Sequence, residues 1–273
     1  MRLTPVHIPS SLRPYIEKMW VFESEGRAPS DDMKLVVPNG RLKLVVPYRN
    51  GLLGSMEGWQ HLSKENKVTL IGMCDQPSVV DVEHDAPSGT IGIEFMPLGA
   101  YRFFGLNHKD IRNTIYNFED IFGKVAAELE ERIADSNDVL GKVRLLQQFL
   151  IQQLNRSDED AIIDYCLNRV HNTNGAIPVK QLEKETGYSS RWLNMKFEQR
   201  VGISPKQLSA ISRFQYCYNA IVSSSATSLQ QLDFYNLYFD QAHFIKEFKR
   251  FAGVSPLRFM KSKNDFGRIF YKD

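Results

Sequence analysis

Short runs of alternating apolar and polar residues, the pattern typical of β-strands, occupy much of the first 120 residues. The clearest runs are RLKLVVPY (41–48), PSVVDVEH (77–84) and TIGIEFMP (90–97). Each run contains β-branched residues and is bounded by Pro, Gly, Asn or Asp, which favour turns. The pattern predicts an antiparallel β-barrel over residues 1–120, interrupted by a helix near SLRPYIEKMW (11–20).

Beyond residue 120 the apolar residues recur every three or four positions, which is the period of an α-helix. This spacing predicts two amphipathic helices within residues 121–157, separated by the polar segment ADSND. Their apolar stripes comprise Val125, Leu129 and Ile133 in the first helix and Val139, Val143, Leu146, Leu150 and Leu154 in the second. Such stripes pack either against the β-region of the same chain or against a second copy in a dimer, and both hypotheses stay open.

A polar break, NRSDED (155–160), separates this region from a second half with helical patterning. Its Ser and Asp residues are of the type that begins helices. We therefore predict an α+β protein with four parts: a β-barrel domain at 1–120, a helical connector at 121–157, an all-α domain at 158–263 and a tail at 264–273.

The helical half contains an internal repeat. PVKQLEKETGYSSRWLNMKFEQRVGISPKQL, from Pro178, aligns with SLQQLDFYNLYFDQAHFIKEFKRFAGVSPLRF, from Ser228, with one added residue in the turn. Each copy predicts a short helix, a turn and a second helix. The N-terminus of the second helix would be capped by Ser189 in the first copy and by Asp240 in the second. The second helix buries two residues one turn apart and stops at a glycine: Leu193, Phe197 and Gly202, or Phe244, Phe248 and Gly253. This layout predicts two helix-turn-helix units joined by a long helix over residues 206–222.

The repeat resembles the C-terminal DNA-binding domain of AraC/XylS-type transcriptional regulators. The similarity covers about residues 160–262, in GYSSRWLNMKFEQRVGISP, ISRFQYCYNAI and DQAHFIKEFKRFAGVSP. The first half is similar to the cupin-like regulatory half of one branch of the family, in PSSLRPYIEKMWVFES, VPNGRLKLVV, LIGMCDQP and IGIEFMPLGAYRFFG. The resemblance implies a sequence-specific transcriptional regulator whose two recognition helices enter successive major-groove segments on one face of DNA.

Side chains on the outer faces of the two recognition helices are the candidates for DNA contact. The candidates for base contact lie opposite the buried pairs: Arg191, Asn194, Met195, Gln241, Ala242 and Lys246. Arg can pair with guanine and Asn or Gln with adenine through two hydrogen bonds each, and Ala can contact a thymine methyl group. The candidates for phosphate contact are nearby cations: Lys196, Lys206, Lys249, Arg250 and Arg258.

Three positions depart from the family pattern. Asp233 and Leu237 stand where the second unit usually has Ala and Gly, so its turn needs another backbone conformation. Met195 stands where the first recognition helix often has Arg, which suggests a different readout by the first unit. His243 lacks neighbours at metal-ligand spacing, and we interpret it as a packing or local hydrogen-bonding residue.

Charge is distributed unevenly along a chain whose net charge is only +2. Residues 1–150 hold 17 Lys and Arg against 20 Asp and Glu, whereas residues 151–273 hold 17 against 12. A basic second half favours a polyanionic partner such as double-stranded DNA. The three cysteines lack paired spacing, and neither a signal-peptide pattern nor 18 consecutive apolar residues occurs. We expect a cytoplasmic protein without disulfides, metal, cofactor or membrane contact.

Three hypotheses concern the first half. Its aromatic residues line a pocket for an unidentified small-molecule effector, or they form the core of a ligand-free dimerisation module; the pocket candidates are Trp20, Phe22, Trp59 and Phe95. The third hypothesis is a small metal-dependent or acid–base enzyme fused to a nucleic-acid-binding domain. Because His7, His61, His84 and His108 form no metal-binding pattern, we expect no enzyme. Two further hypotheses stay open: that the chain forms a homodimer, and that it binds RNA polymerase.

Overall fold

A computed structural model of the protein describes residues 1–154, 160–223 and 235–271. The first part contains the strands β1 Arg2–Pro5, β2 Ile16–Ser24, β3 Leu35–Val36, β4 Lys43–Arg49, β5 Leu52–Met56, β6 Trp59–Ser63, β7 Thr69–Ile71, β8 Ser78–Val82, β9 Ser88–Phe95 and β10 Ile115–Asn117. The three strands predicted most clearly from the sequence correspond to β4, β8 and β9.

These strands form two antiparallel sheets, which confirms the predicted antiparallel β-region. The six-stranded sheet has the order β1-β2-β9-β4-β7-β10, and the four-stranded sheet has the order β3-β8-β5-β6. Within the described residues no strand pairing joins the two sheets, so the barrel is not closed by hydrogen bonds.

The helix predicted near residues 11–20 is wrong, because a turn leads directly into β2. Alternation along this strand sends Met19 and Val21 into the main β-region core and Trp20 and Phe22 to its other face. Both faces of β2 are buried, so the strand lacks the alternation of apolar and polar residues that sequence patterns detect.

Four helices follow or flank the sheets: α1 Gly99–Phe104, α2 Phe118–Phe122, α3 Lys124–Asp135 and α4 Val139–Gln153. A 3-10 turn spans His108–Ile111. Leu129 and Ile133 of α3 and Val143 and Leu146 of α4 share one core with the strands. Intramolecular packing therefore accounts for most of both apolar stripes, while Val125 stays exposed. Dimerisation stays a prediction.

The second half contains α5 Ala161–Asn172, α6 Val179–Thr186, α7 Ser190–Arg200, α8 Pro205–Ser223, a 3-10 turn Tyr235–Leu237, α9 Gln241–Ala252, α10 Pro256–Lys261 and α11 Asp265–Ile269. One core unites helices α5 to α10 and extends to Leu35, Val37 and Met73 of the first half. Leu237 is half-buried against this core. The helix predicted around residue 232, with Asp233, lies outside the described residues. The α+β architecture with a helical second half is confirmed.

The predicted tail is partly helical, since it contains α11. Its Phe266 packs on Phe22 of β2, with ring centres 5.4 Å apart. Of the helices that the structure describes, none is both long and apolar enough to cross a membrane.

Candidate nucleic-acid interface

The first candidate recognition helix is α7. Its N-terminus is capped by Ser189, whose Oγ accepts a hydrogen bond from the backbone N–H of Trp192 (3.3 Å). Leu193 and Phe197 are fully buried, which turns the opposite face of the helix outward. Of the predicted base-contacting residues on this helix, Arg191 and Met195 are exposed and Asn194 is half-buried.

An aromatic pair packs beside the start of α7. The rings of Tyr188 and Trp192 stack with centres 4.1 Å apart, and the Lys196 ammonium lies 5.8 Å from the centre of the Trp192 ring. Ser190 at the first turn of α7 donates a backbone hydrogen bond to Glu183 of α6. Hydrogen bonds from Ser190 lower the pKa of Glu183, which favours its charged form. The bond between Ser190 and Glu183 joins the start of α7 to α6.

The second candidate recognition helix is α9. Asp240 caps it, with Oδ1 accepting a hydrogen bond from the backbone N–H of His243 (2.7 Å). Phe244 and Phe248 are buried on its inner side. The predicted contact residues on its outer side are all exposed: Gln241, Ala242, Lys246 and Lys249. The repeat is thus visible as two capped helices with equivalent buried pairs.

A partly buried ion pair attaches α9 to α8. Arg213 of α8 contacts the Glu247 carboxylate through two nitrogens, at 2.9 and 3.3 Å, and donates a third hydrogen bond to the Gly175 carbonyl (2.8 Å). Such a two-bond geometry fixes direction as well as distance. His243 lies beside the same carboxylate, with Nε2 3.9 Å from Oε2.

The remaining candidates for phosphate contact differ in their surroundings. Lys206 and Arg258 are exposed in the first turns of α8 and α10. Arg250 instead forms an ion pair with Asp75 of the first half, with Nη2 3.1 Å from Oδ2. Contact of Arg250 with a phosphate would therefore require this ion pair to open.

Asp75 is a central residue of this contact that the sequence analysis missed. Its buried carboxylate accepts hydrogen bonds from Arg112 (2.6 Å), Asn113 (2.7 Å), Arg250 (3.1 Å) and, more weakly, Gln207 (3.5 Å). Two guanidinium groups thus compensate one buried negative charge. Since Arg112 and Arg250 lie 37 and 175 positions away along the chain, no local motif identifies the cluster.

The first half also contacts α7, through the 3-10 turn. Lys109 Nζ lies 3.0 Å from Glu198 Oε2. The neighbouring His108 is buried, and burial lowers its pKa to about 4, although a hydrogen bond with the backbone of Arg200 acts in the opposite direction. The imidazole is therefore neutral at pH 7. Both candidate recognition helices therefore contact the first half of the chain.

A cavity of about 90 Å³ lies between the two sheets. Two of the four candidates for a ligand pocket, Trp20 and Phe22, line this cavity. The other two candidates do not: Trp59 is partly exposed on β6, and Phe95 is buried in the main β-region core. Phe95 does not line the cavity because side chains alternate between the two faces of a strand, and its neighbour Glu94 is the one that faces the cavity.

Charged groups occupy one side of this otherwise mainly apolar cavity. Glu94 is buried and accepts a hydrogen bond from Asn39 (2.8 Å). Lys43 Nζ lies 4.0 Å from Glu94 Oε1, beyond hydrogen-bonding distance. Arg41, also in the wall, pairs with Glu17 at 3.0 Å. The cavity therefore combines an apolar wall with a lysine whose ionic partner among the described residues, Glu94, lies beyond hydrogen-bonding distance.

Two family models match separate parts of the chain. Residues 182–262 match a helix-turn-helix domain, and residues 6–117 match a domain of unknown function (DUF6597). Among curated proteins, none matches the chain.

Three solved structures illustrate what the chain is similar to. ToxT from Vibrio cholerae is 12% identical, with 88% of this chain and 98% of that chain covered and a TM-score of 0.48. The AraC-like transcriptional activator CuxR is 15% identical, with 73% of each chain covered and a TM-score of 0.24. A Cupin_2 domain of an XRE family transcriptional regulator from Enterobacter cloacae is 13% identical, with 35% and 96% covered and a TM-score of 0.27.

The matched helix-turn-helix model and the duplicated, capped helices define the class of this protein as a DNA-binding transcriptional regulator. Its second half carries a helix-turn-helix domain of the AraC type.

Proposed function

We propose that the protein binds two successive major-groove segments of one DNA site, with α7 in the first and α9 in the second. The supporting observation is the pair of capped helices that bury equivalent residues and leave their predicted base-contacting faces largely exposed. Helix α8, of 19 residues, lies between them and is roughly 28 Å long at 1.5 Å per residue. This length is comparable to one turn of DNA, about 34 Å.

The chemistry of the outer faces assigns a role to each candidate. Arg191 would donate two hydrogen bonds to a guanine, and Asn194 or Gln241 would pair with an adenine. Lys246 suits a guanine as well, and Ala242 suits a thymine methyl group. Cations around both helices would bind phosphates and set the register without specifying sequence. Of these, Lys206, Lys249 and Arg258 are exposed and Lys196 is half-buried.

The first half, in this proposal, senses a small molecule and has no catalytic role. The cavity between the sheets supports ligand control, because it is mainly apolar and carries a few polar groups. Burial raises the pKa of Cys74 and Cys166 to about 11 and that of Cys217 to about 12, which disfavours nucleophilic thiolates. We further propose that the protein is cytoplasmic, that it acts as a homodimer and that it contacts RNA polymerase.

Selection of bound DNA from a random pool, followed by fluorescence anisotropy on the selected site, tests the DNA-binding proposal. We expect Arg191→Ala and Lys246→Ala each to weaken specific binding by about 1 to 3 kcal/mol and to relax preference at one base pair. The matched control is Lys124→Ala, which removes an exposed cation from α3. Equal binding by all three variants, or selection of no preferred sequence, would refute the proposal.

A further inference from the structure

The tail after α10 is bound to the first half by specific hydrogen bonds. Asn264 is fully buried, and its side chain makes two hydrogen bonds to the backbone of Leu35, accepting from N–H (2.9 Å) and donating to the carbonyl (3.2 Å). The backbone N–H of Phe266 donates to Asp32 Oδ2 (3.1 Å). The tail therefore has a defined docking position on the β-region.

Two rings of this tail form part of the cavity wall. Phe270 lies 5.0 Å from Trp20 and 5.5 Å from Phe22 between ring centres, and Phe266 lies 5.4 Å from Phe22. Trp20, Phe22 and Phe266 form a small cluster separate from the two large cores. Undocking of the tail rings would therefore leave the main β-region core intact.

The room left in the cavity is small. Its volume of about 90 Å³ is below the roughly 150 Å³ of an engineered apolar cavity that holds benzene. Ligand pockets for larger molecules span about 300 to 1,000 Å³. A ligand of ordinary size fits between the sheets only if the rings of Phe266 and Phe270 move out of the cavity.

The same tail contacts the helix between the two helix-turn-helix units. The Tyr271 ring lies 5.1 Å from the Tyr218 ring of α8, and its hydroxyl donates to the Val37 carbonyl (2.6 Å). Tyr271 thus joins α8 to the loop segment that borders the cavity. Movement of the tail would therefore directly alter a contact with the DNA-binding half.

We propose that residues 264–271 are a tethered plug of the cavity, which competes with a compact ligand that has a flat apolar body and an acidic group. The apolar body takes the place of Phe266 and Phe270 between the sheets. The acidic group binds Lys43, whose nearest carboxylate oxygen in the described part of the chain is 4.0 Å away. Displacement of the plug separates Tyr271 from Tyr218. This inference rests on the proposed ligand control of a DNA-binding protein.

Dye binding to the full-length chain tests the plug. The probes are 8-anilinonaphthalene-1-sulfonate, which is flat and anionic, and its neutral analogue N-phenyl-1-naphthylamine. We expect F266A/F270A to bind one sulfonate dye per chain about tenfold or more tightly than the parent protein, because the competing plug is removed. Adding Lys43→Met should weaken binding of the sulfonate dye but not of the neutral one. Phe239→Ala, which removes a ring that is 94% exposed, is the control.

Equal uptake of the sulfonate dye by F266A/F270A and F239A would overturn the proposal. If the double variant does not unfold cooperatively, hydrogen exchange of the parent protein decides: the sulfonate dye should accelerate exchange at 264–271 and near Tyr218, but not in α3. Unchanged exchange in the tail at saturating dye also overturns it. Neither measurement uses DNA, so failure to bind DNA would refute the proposed function and not the plug.

Discussion

The two helix-turn-helix units have the same plan but are attached to the rest of the molecule differently. In the first unit, Tyr188 is partly exposed and stacks on Trp192 at the surface. Its repeat equivalent Tyr238 is buried beside Phe244 (5.3 Å), and burial raises its pKa far above the usual value. The second unit therefore depends more on aromatic packing.

Their contacts with the first half differ in chemistry as well. Helix α7 contacts the first half through the buried, neutral His108 and through the Glu198–Lys109 ion pair at the surface, whereas α9 contacts the buried Asp75 through Arg250. Protonation of His108 is expected to disturb the contact of α7, and phosphate that competes for Arg250 is expected to disturb the contact of α9. A duplicated unit can thus keep one DNA-contacting geometry while two different interactions couple it to the same neighbouring region.

The largest effects are expected in the buried pairs. Phe197→Ala and Phe248→Ala should each lower the free energy of unfolding by about 3 to 5 kcal/mol, since both side chains are fully buried. Phe248 should lie at the upper end, because it also contacts the rings of Phe214 and Phe259 at 5.3 and 5.7 Å. Urea unfolding measures both values. Phe239→Ala should change stability little, and a smaller loss for Phe248 than for Phe197 would contradict the difference between the units.

Acid should weaken the attachment of α7 through His108. Above pH 6.5 the imidazole is neutral in both states; between pH 6.5 and about 4 the unfolded chain binds a proton that the folded chain excludes. Stability present at pH 7 is therefore lost as the pH falls through this window, by up to about 3 kcal/mol. Urea midpoints at several pH values should fall less steeply for His108→Gln than for the parent protein. Parallel curves would show that His108 does not carry the effect.

Much of this architecture follows from sequence patterns, but the links between its halves do not. The caps and buried pairs of α7 and α9 are local features with helical spacing, so the repeat revealed them. The Asp75 cluster joins residues from distant elements, and the docked Phe266 lies in a short tail without a detectable period. Long-range contacts of this kind follow from tertiary packing and have no sequence signature.

The residues that line the cavity could be identified from the sequence only in part, for a related reason. Trp20 and Phe22 are two positions apart on one strand and share a face, whereas Phe95 belongs to the opposite face of β9. The sequence shows which residues are aromatic, but the face of the sheet on which each side chain lies depends on the register of its strand. An isolated sequence fixes register poorly where both faces of a sheet are buried, as in β9.

The helix caps should have smaller effects, and unequal ones. Asp240→Ala is expected to cost about 1 to 2 kcal/mol, because its carboxylate accepts a 2.7 Å hydrogen bond at a helix N-terminus. Ser189→Ala should cost about 0.5 to 1 kcal/mol, because its bond is longer (3.3 Å) and uncharged. Thermal unfolding compares the two. Asp240→Asn, which keeps the acceptor, should recover most of the loss; no recovery would argue against capping.

The smallest effects concern phosphate contacts and appear only in salt dependence. Lys249→Ala should lower the slope of log affinity against log salt by about 1, because one phosphate contact is lost. Arg250→Ala should change the slope less, since Arg250 is already paired with Asp75. Anisotropy titrations from low to moderate salt measure both slopes. If Arg250→Ala lowers the slope as much as Lys249→Ala, then Arg250 leaves Asp75 when DNA binds, and the charged attachment of the second unit opens in the complex.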